Sequence, residues 1–155
     1  MTPGTFTQLY TQVVFSPHIY CPISSLSHQE TIFKFVSGTI ASMGHKSLAV
    51  NGMYDHIHIF FGLKPDISIS DTVKEVKRSS TNFIKEQGFL KKFNWQVGYG
   101  AFSYSRSQIS NVINYIINQR EHHKKKTFKE EYIEFLTEFG IEYNPKYLFD
   151  FHDEK

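Results

Sequence analysis

The stretch HIHIFFGL, residues 56–63, is almost unbroken apolar sequence except for two histidines one residue apart. Strand side chains alternate between faces, so His56 and His58 share one side while Ile57 and Ile59 take the other. A turn beginning at Gly52 joins this segment to KSLAVN, 46–51, and the two read as an antiparallel hairpin. Working outward, FTQLYTQVVF, 6–15, reads as a first strand that is interrupted by Pro17. Ser27, with Glu30 three residues on, has the capping-box arrangement for a helix over 28–43. Its inward stripe is Ile32, Phe35, Val36, Thr39 and Ile40, and Gly44 stops it. Pro65 and Asp66 open a second helix, 68–87, with Ile69, Val73, Val76, Phe83 and Ile84 at helical spacing and Gly88 at its end. WQVGYGAFSY, 95–104, reads as a strand broken by two glycines, followed by helices over 105–122 and 128–138. Residues 140–155 read as a tail anchored by Tyr143, Tyr147 and Phe149.

The order β-α-β-β-α-β predicts an α+β chain. Its sheet is expected to be ferredoxin-like and antiparallel, with helices on one face and additional C-terminal helices. The 155 residues, 40% of them apolar and 16% aromatic, suit one domain over 1–155 with a substantial core. No window reaches the roughly 18 apolar residues of a membrane span, and the N-terminus lacks an export pattern. With Cys21 as the single cysteine there is no internal disulfide framework, so a cytoplasmic location is expected. The net charge of +2 is far from the strong positive balance of many nucleic-acid binders. Positive charge is local instead. It lies in HHKKKTFK, 122–129, which includes His122, Lys124 and Lys125, and in a helical cluster of Lys74, Lys77, Arg78 and Lys85. Such local fields attract phosphates, although an ordinary solvated surface has the same composition.

Two imidazoles on one strand face supply nitrogen lone pairs to a cation, or else satisfy each other's surroundings by hydrogen bonds. A pair is too few for a zinc site, so a third ligand is needed. Winding 108–122 as a helix gathers Ile109, Val112, Ile113, Ile116 and Ile117 on one face. Gln108, Asn111, Tyr115, Gln119 and His122 gather on another, with Tyr115 and Gln119 one turn apart. A phenol ordinarily titrates near pH 10, roughly, and acts covalently only with assistance. A cation held by His56, His58 and Gln119 is one source of that assistance, because it would polarise a phosphodiester. Mixed nitrogen and oxygen ligands with open positions favour Mg²⁺ or Mn²⁺.

These residues together resemble the single-tyrosine HUH transposases of the IS200/IS605 type, including relatives associated with repeated extragenic palindromes. His56, Ile57 and His58 match the histidine–hydrophobic–histidine signature, and Tyr115 and Gln119 within YIINQREHHKKKTFKEEY match the tyrosine and glutamine four residues apart. WQVGYGAFSYSRSQI and SISDTVKEVKRSSTNFI resemble the flanking strand and helix, and the similarity runs over nearly the whole chain. The resemblance implies a metal-dependent enzyme that cleaves and rejoins single-stranded DNA at mobile-element ends bearing hairpins. It implies Tyr115 as the nucleophile, a 5′-phosphotyrosine link, a free 3′-hydroxyl and a homodimer. Lys74, Lys77, Arg78, Lys85, His122, Lys124 and Lys125 are candidate DNA contacts, and Tyr99, Phe102 and Tyr104 are candidate base-stacking residues. Family members often carry a basic residue just after the first strand, where this chain has FSPHIYCP with His18. The alternatives are another HUH nuclease, such as a replication initiator or relaxase, and an inactive nucleic-acid-binding relative.

Overall fold

The computed structural model describes residues 3–152. Strands β1 (Tyr10–Phe15), β2 (Lys46–Met53), β3 (His56–Gly62) and β4 (Gly100–Tyr104) form one antiparallel sheet in the order β2-β3-β1-β4. Among the described residues five α-helices accompany it: α1 (Leu26–Ser42), α2 (Ile69–Glu86), α3 (Ile109–Ile117), α4 (Gln119–His122) and α5 (Phe128–Glu138). The protein is thus a mixed α/β chain built on an antiparallel sheet. Among the described residues, no helix is long and apolar enough to cross a membrane.

The apolar run in β3 has a simple cause. The strand lies inside the sheet and is covered on both faces, so every residue from His56 to Phe61 is buried. Ile57 pairs with Phe15, whose ring lies 5.1 Å from the Lys77 amine of α2, which places α2 over the isoleucine face. His56 and His58 point the opposite way, to Gln119 of α4 and Glu131 of α5. The additional C-terminal helices therefore cover the second face. Full burial of each large apolar side chain contributes about 1.5–3 kcal/mol. Ile57, Ile59 and Phe61 on one face and Phe60 on the other thus tie the sheet to both helical layers.

Several boundaries differ from the sequence expectation, each for a physical reason. The first strand begins at Tyr10, which pairs with the last residues of both neighbours, Gly62 and Tyr104; beyond it the Leu63 amide still donates to the Leu9 carbonyl at 2.8 Å, but the ladder goes no further. The strand expected over 95–104 shrinks to Gly100–Tyr104. Trp95 makes only an isolated bridge to Pro17, and Val97 is 98% exposed. Ser25, not Ser27, caps α1 by accepting from the His28 amide, and Phe33 rather than Phe35 is buried. In the tail, Phe149 and Phe151 are the buried anchors, whereas Tyr143 and Tyr147 are exposed.

Gly52 does not begin the hairpin turn but sits inside β2, opposite Ile57, and the turn falls at Tyr54 and Asp55. A β-carbon on Gly52 would lie 2.1 Å from the His56 carbonyl oxygen. Replacing Gly52 with alanine is therefore expected to force the hairpin apart and destabilise the protein by about 1–3 kcal/mol, the usual overpacking cost. The urea unfolding midpoint measures this.

The helix expected over 105–122 is broken into a 3₁₀ turn at Arg106–Gln108, then α3, then α4. Asn51 of β2 ends α3 by donating its amide to the carbonyls of Ile116 and Ile117, at 2.9 and 3.1 Å. Asn118 then leaves helical geometry, with φ −93° and ψ 26°, and the chain turns so that Gln119 enters the core. Ile117, expected on the apolar face, is 59% exposed as a result.

Candidate metal and nucleophile site

Four elements meet beneath the exposed end of α3. β3 supplies His56 and His58, α3 supplies Tyr115, α4 supplies Gln119 and α5 supplies Glu131. His56, His58 and Glu131 offer ligand atoms that all lie within 4.8 Å of one another. Gln119 joins them through its oxygen, 2.8 Å from His56 Nε2, and its amide nitrogen donates to Glu131 Oε2 at 3.2 Å. The Tyr115 hydroxyl donates to that same Glu131 oxygen. The histidines, tyrosine and glutamine singled out in the sequence are thus brought together, and the group that joins them is a carboxylate which the sequence did not single out.

Asp55 and Gln12 set the imidazoles. Asp55 Oδ1 accepts from His56 Nδ1 at 2.7 Å, so the Nε2 lone pair faces the site. His58 Nδ1 lies 2.8 Å from the Gln12 amide, whose other end receives the Tyr104 hydroxyl at 2.6 Å. With the Gln12 nitrogen donating, His58 Nε2 carries a proton toward Glu131, 3.0 Å away. With the Gln12 amide turned over, Nδ1–H donates instead and Nε2 is free for a cation. The Tyr104 hydroxyl, donor or acceptor, satisfies either orientation. The donor set of two neutral imidazoles, a carboxylate and an amide oxygen fits a divalent ion.

The electrostatics follow from burial and from two buried carboxylates, Glu131 and Asp55. Burial by itself would raise the Glu131 pKa, but His58, His123 and His56 around it hold the carboxyl well below the usual range. Burial disfavours charge on both strand histidines. At His56, Asp55 and Glu131 reverse that effect and raise its pKa, whereas His58 stays lowered. Burial, followed by the neighbouring Glu131 charge, pushes the Tyr115 phenol far up. A carboxylate held so firmly in its ionised form orients the phenol and is a poor keeper of its proton. Tyr115 borders two open clefts, one of about 310 Å³ shared with Gln12, Tyr104 and Glu131, the other of about 360 Å³ shared with His122, Lys125 and Lys126. The His122 ring stacks on Tyr115 with centroids 4.4 Å apart, and its buried Nε2 has no hydrogen-bond partner among the described residues.

The candidate DNA contacts divide between the two sides of the molecule. His122 and Lys125 share a cleft with the tyrosine, whereas Lys124 is exposed and paired with Glu121 at 3.0 Å. Lys74, Lys77, Arg78 and Lys85 are on α2, behind the sheet from the histidines, and the fold does not bring them to this site. Arg78 is paired with Glu75 at 2.6 Å. Lys77 donates to the carbonyls of Gln96 and Gly98, both at 2.8 Å, and so secures the loop before β4. Burial lowers its pKa to about 8, from an ordinary 10.5. Because the unfolded chain keeps that proton to higher pH, wild-type stability gains on Lys77→Met as pH rises from about 8 toward 10.5. Unfolding midpoints of the two proteins across that range test the assignment. Of the suggested base-stacking aromatics, Phe102 is buried against Phe135 and Phe139, and Tyr104 is committed to Gln12. Tyr99 remains partly exposed.

A strand-borne histidine pair facing a helical tyrosine and glutamine defines an HUH-type site on an antiparallel sheet. Residues 5–119 match the family model described as Transposase IS200 like, and the chain belongs to the IS200/IS605-like tyrosine transposase family. Two solved structures share the fold. One is a Deinococcus radiodurans R1 protein classed as a transposase, with TM-score 0.62 and 19% identity over 77% of this chain and 96% of that one. The other is a REP-associated tyrosine transposase bound to a REP hairpin, with TM-score 0.54 and 15% identity over 79% of this chain and 74% of that one. No curated protein matches the chain. The matched family segment ends at Gln119, so Glu131 lies beyond it.

Proposed function

We propose that this protein is a metal-dependent transposase that cleaves and rejoins single-stranded DNA at mobile-element ends, with Tyr115 as nucleophile. The observation that carries the reading is the shared carboxylate. Glu131 accepts from the Tyr115 hydroxyl through one oxygen and meets His58 Nε2 at 3.0 Å through the other. The phenol is thereby held beside the group of atoms able to bind a cation. His56, His58, Gln119 and Glu131 would hold Mg²⁺ or Mn²⁺, and the ion would polarise the scissile phosphodiester and offset charge developing on its oxygens.

In this reading Tyr115 Oη attacks phosphorus. The new oxygen–phosphorus bond replaces the bond to the 3′ oxygen, which leaves as a hydroxyl, while the 5′ side stays on the protein as phosphotyrosine. The phenol gives up one proton and the 3′ oxygen gains one, so the step balances. Attack of a 3′-hydroxyl on the same phosphorus reverses it and reseals DNA without a high-energy cofactor. His122 and Lys125, on the cleft wall beside Tyr115, would position the backbone of a bound strand. The hairpin held by one structural neighbour supports a folded single strand as substrate. The strand order β2-β3-β1-β4 supports a ferredoxin-like assignment within this reading. A homodimer acting in the cytoplasm completes it, and light scattering tests the dimer.

The deciding experiment incubates the protein and Mn²⁺ or Mg²⁺ with single-stranded DNA from both flanks of its gene. A denaturation-resistant adduct mapped to Tyr115 by peptide mass spectrometry is the expected result. Binding without any adduct across those substrates would favour an inactive DNA-binding relative.

A further inference from the structure

Three imidazoles, not two, converge on Glu131. His123, four residues beyond Gln119, directs Nδ1 at the Lys126 carbonyl oxygen, 2.8 Å away. A carbonyl only accepts, so Nδ1 carries the hydrogen and Nε2 of the neutral ring presents a lone pair. That nitrogen lies 3.0 Å from Gln119 Oε1 and 3.3 Å from Glu131 Oε1, both of them acceptors. His56 repeats the pattern. Its Nδ1–H is committed to Asp55, and its Nε2 faces the same two oxygens at 2.8 and 3.5 Å. Lone pairs opposed at such distances call for positive charge between them, which a bound cation supplies to both rings at once. The His123 side chain is 7% exposed, so bulk water does little to relieve the arrangement.

We propose that His123 is a third imidazole ligand of the cation site, and that the resulting nitrogen-rich donor set takes a first-row transition ion such as Mn²⁺ ahead of Mg²⁺. This rests on the cation-binding reading above and adds to it a ligand and a basis for selectivity. Imidazole nitrogen suits transition ions, whereas Mg²⁺ prefers oxygen and retains its waters. The break at Asn118 accounts for the placement. It turns α4 so that Gln119 and His123, one helical turn apart, both face the sheet, and the Lys126 carbonyl fixes the His123 ring as an outer partner fixes a metal-bound histidine. The competing account makes His123 only a hydrogen-bonding brace for Gln119 and Glu131.

Pulsed EPR of Mn²⁺ bound to the wild-type protein counts coupled imidazole nitrogens directly, and calorimetric titration with Mn²⁺ and with Mg²⁺ gives the two affinities. Three coupled imidazoles are expected in wild type and two in His123→Gln. Mn²⁺ affinity should fall in that variant by about 10–100-fold or more, since loss of even an outer-shell partner costs that much. Mg²⁺ affinity should fall less, so the preference for Mn²⁺ narrows. Two imidazoles in wild type, or unchanged Mn²⁺ affinity in both His123→Gln and His123→Ala, would overturn the inference while leaving the cation site standing. Failure of wild type to bind Mn²⁺ at all would overturn it together with the reading beneath it. The wild-type spectrum decides the point even if a variant misfolds.

Discussion

Replacing Tyr115 with phenylalanine is expected to remove the covalent DNA adduct entirely and to lower strand cleavage by about a million-fold or to below detection, the scale of losing a covalent nucleophile. Only the hydroxyl is lost. The ring keeps its stacking on His122 and its edge-on contacts with His58 and Phe135, so the fold should survive. The hydrogen bond to Glu131 disappears, which costs about 1.5–3 kcal/mol for a bond to a charged group. Divalent-cation affinity should change far less than activity, because the lost hydroxyl bonds to the Glu131 carboxylate and is not itself a proposed cation ligand. Denaturing gels, calorimetry and unfolding midpoints on one preparation separate the three effects. Cleavage that persists in this variant with an adduct on another residue would sink the nucleophile assignment.

The second large effect is expected at Glu131. This carboxylate is buried and meets His58, His56 and His123 within 3.0 to 3.5 Å, with Tyr115 and Gln119 donating to its other oxygen. Glu131→Ala removes the negative charge around which the histidines are arranged, and breaking a buried ion pair from one side costs about 3–5 kcal/mol. Glu131→Gln keeps the shape and should retain the fold while losing cation binding and adduct formation together. The pH dependence has a definite sign. The folded pKa lies below the ordinary 4.5, so the carboxylate's contribution is fully present above 4.5 and is lost progressively as pH falls below it. The stability gap between wild type and Glu131→Gln should therefore be widest near neutrality and close in acid. Chemical denaturation over that range measures it, and a gap independent of pH would show that the charge is not what holds the network.

Glu131 also shows where sequence reading stopped short. Phe128, Glu131, Tyr132 and Phe135 fall at helical spacing on the buried side of α5, so a carboxylate stands within an apolar stripe. That is a readable signal, and the Thr127–Glu130 capping box fixes the register that exposes it. It was hidden by the neighbouring lysines and glutamates, which make KEEY look like solvated surface. The α2 cluster shows a different limit. Lys74, Lys77, Arg78 and Lys85 form a patch in sequence, but charge clustering along one helix says nothing about which side of the sheet that helix covers.

What the sequence determined by itself was whatever depends on local period and chemistry. Alternation puts His56 and His58 on one face, helical spacing defines α2 and α5, and the spacing of Tyr115 and Gln119 marks the family. The tertiary structure alone decided what depends on neighbours distant in sequence. Asn51 captures the end of α3 and so turns Gln119 inward, the pairing of β1 with both β3 and β4 sets where it begins, and α5 delivers Glu131 across the sheet to the histidines. Side-chain period is a property of each segment, whereas a hydrogen bond between residues 51 and 116, or 58 and 131, exists only once the layers have packed.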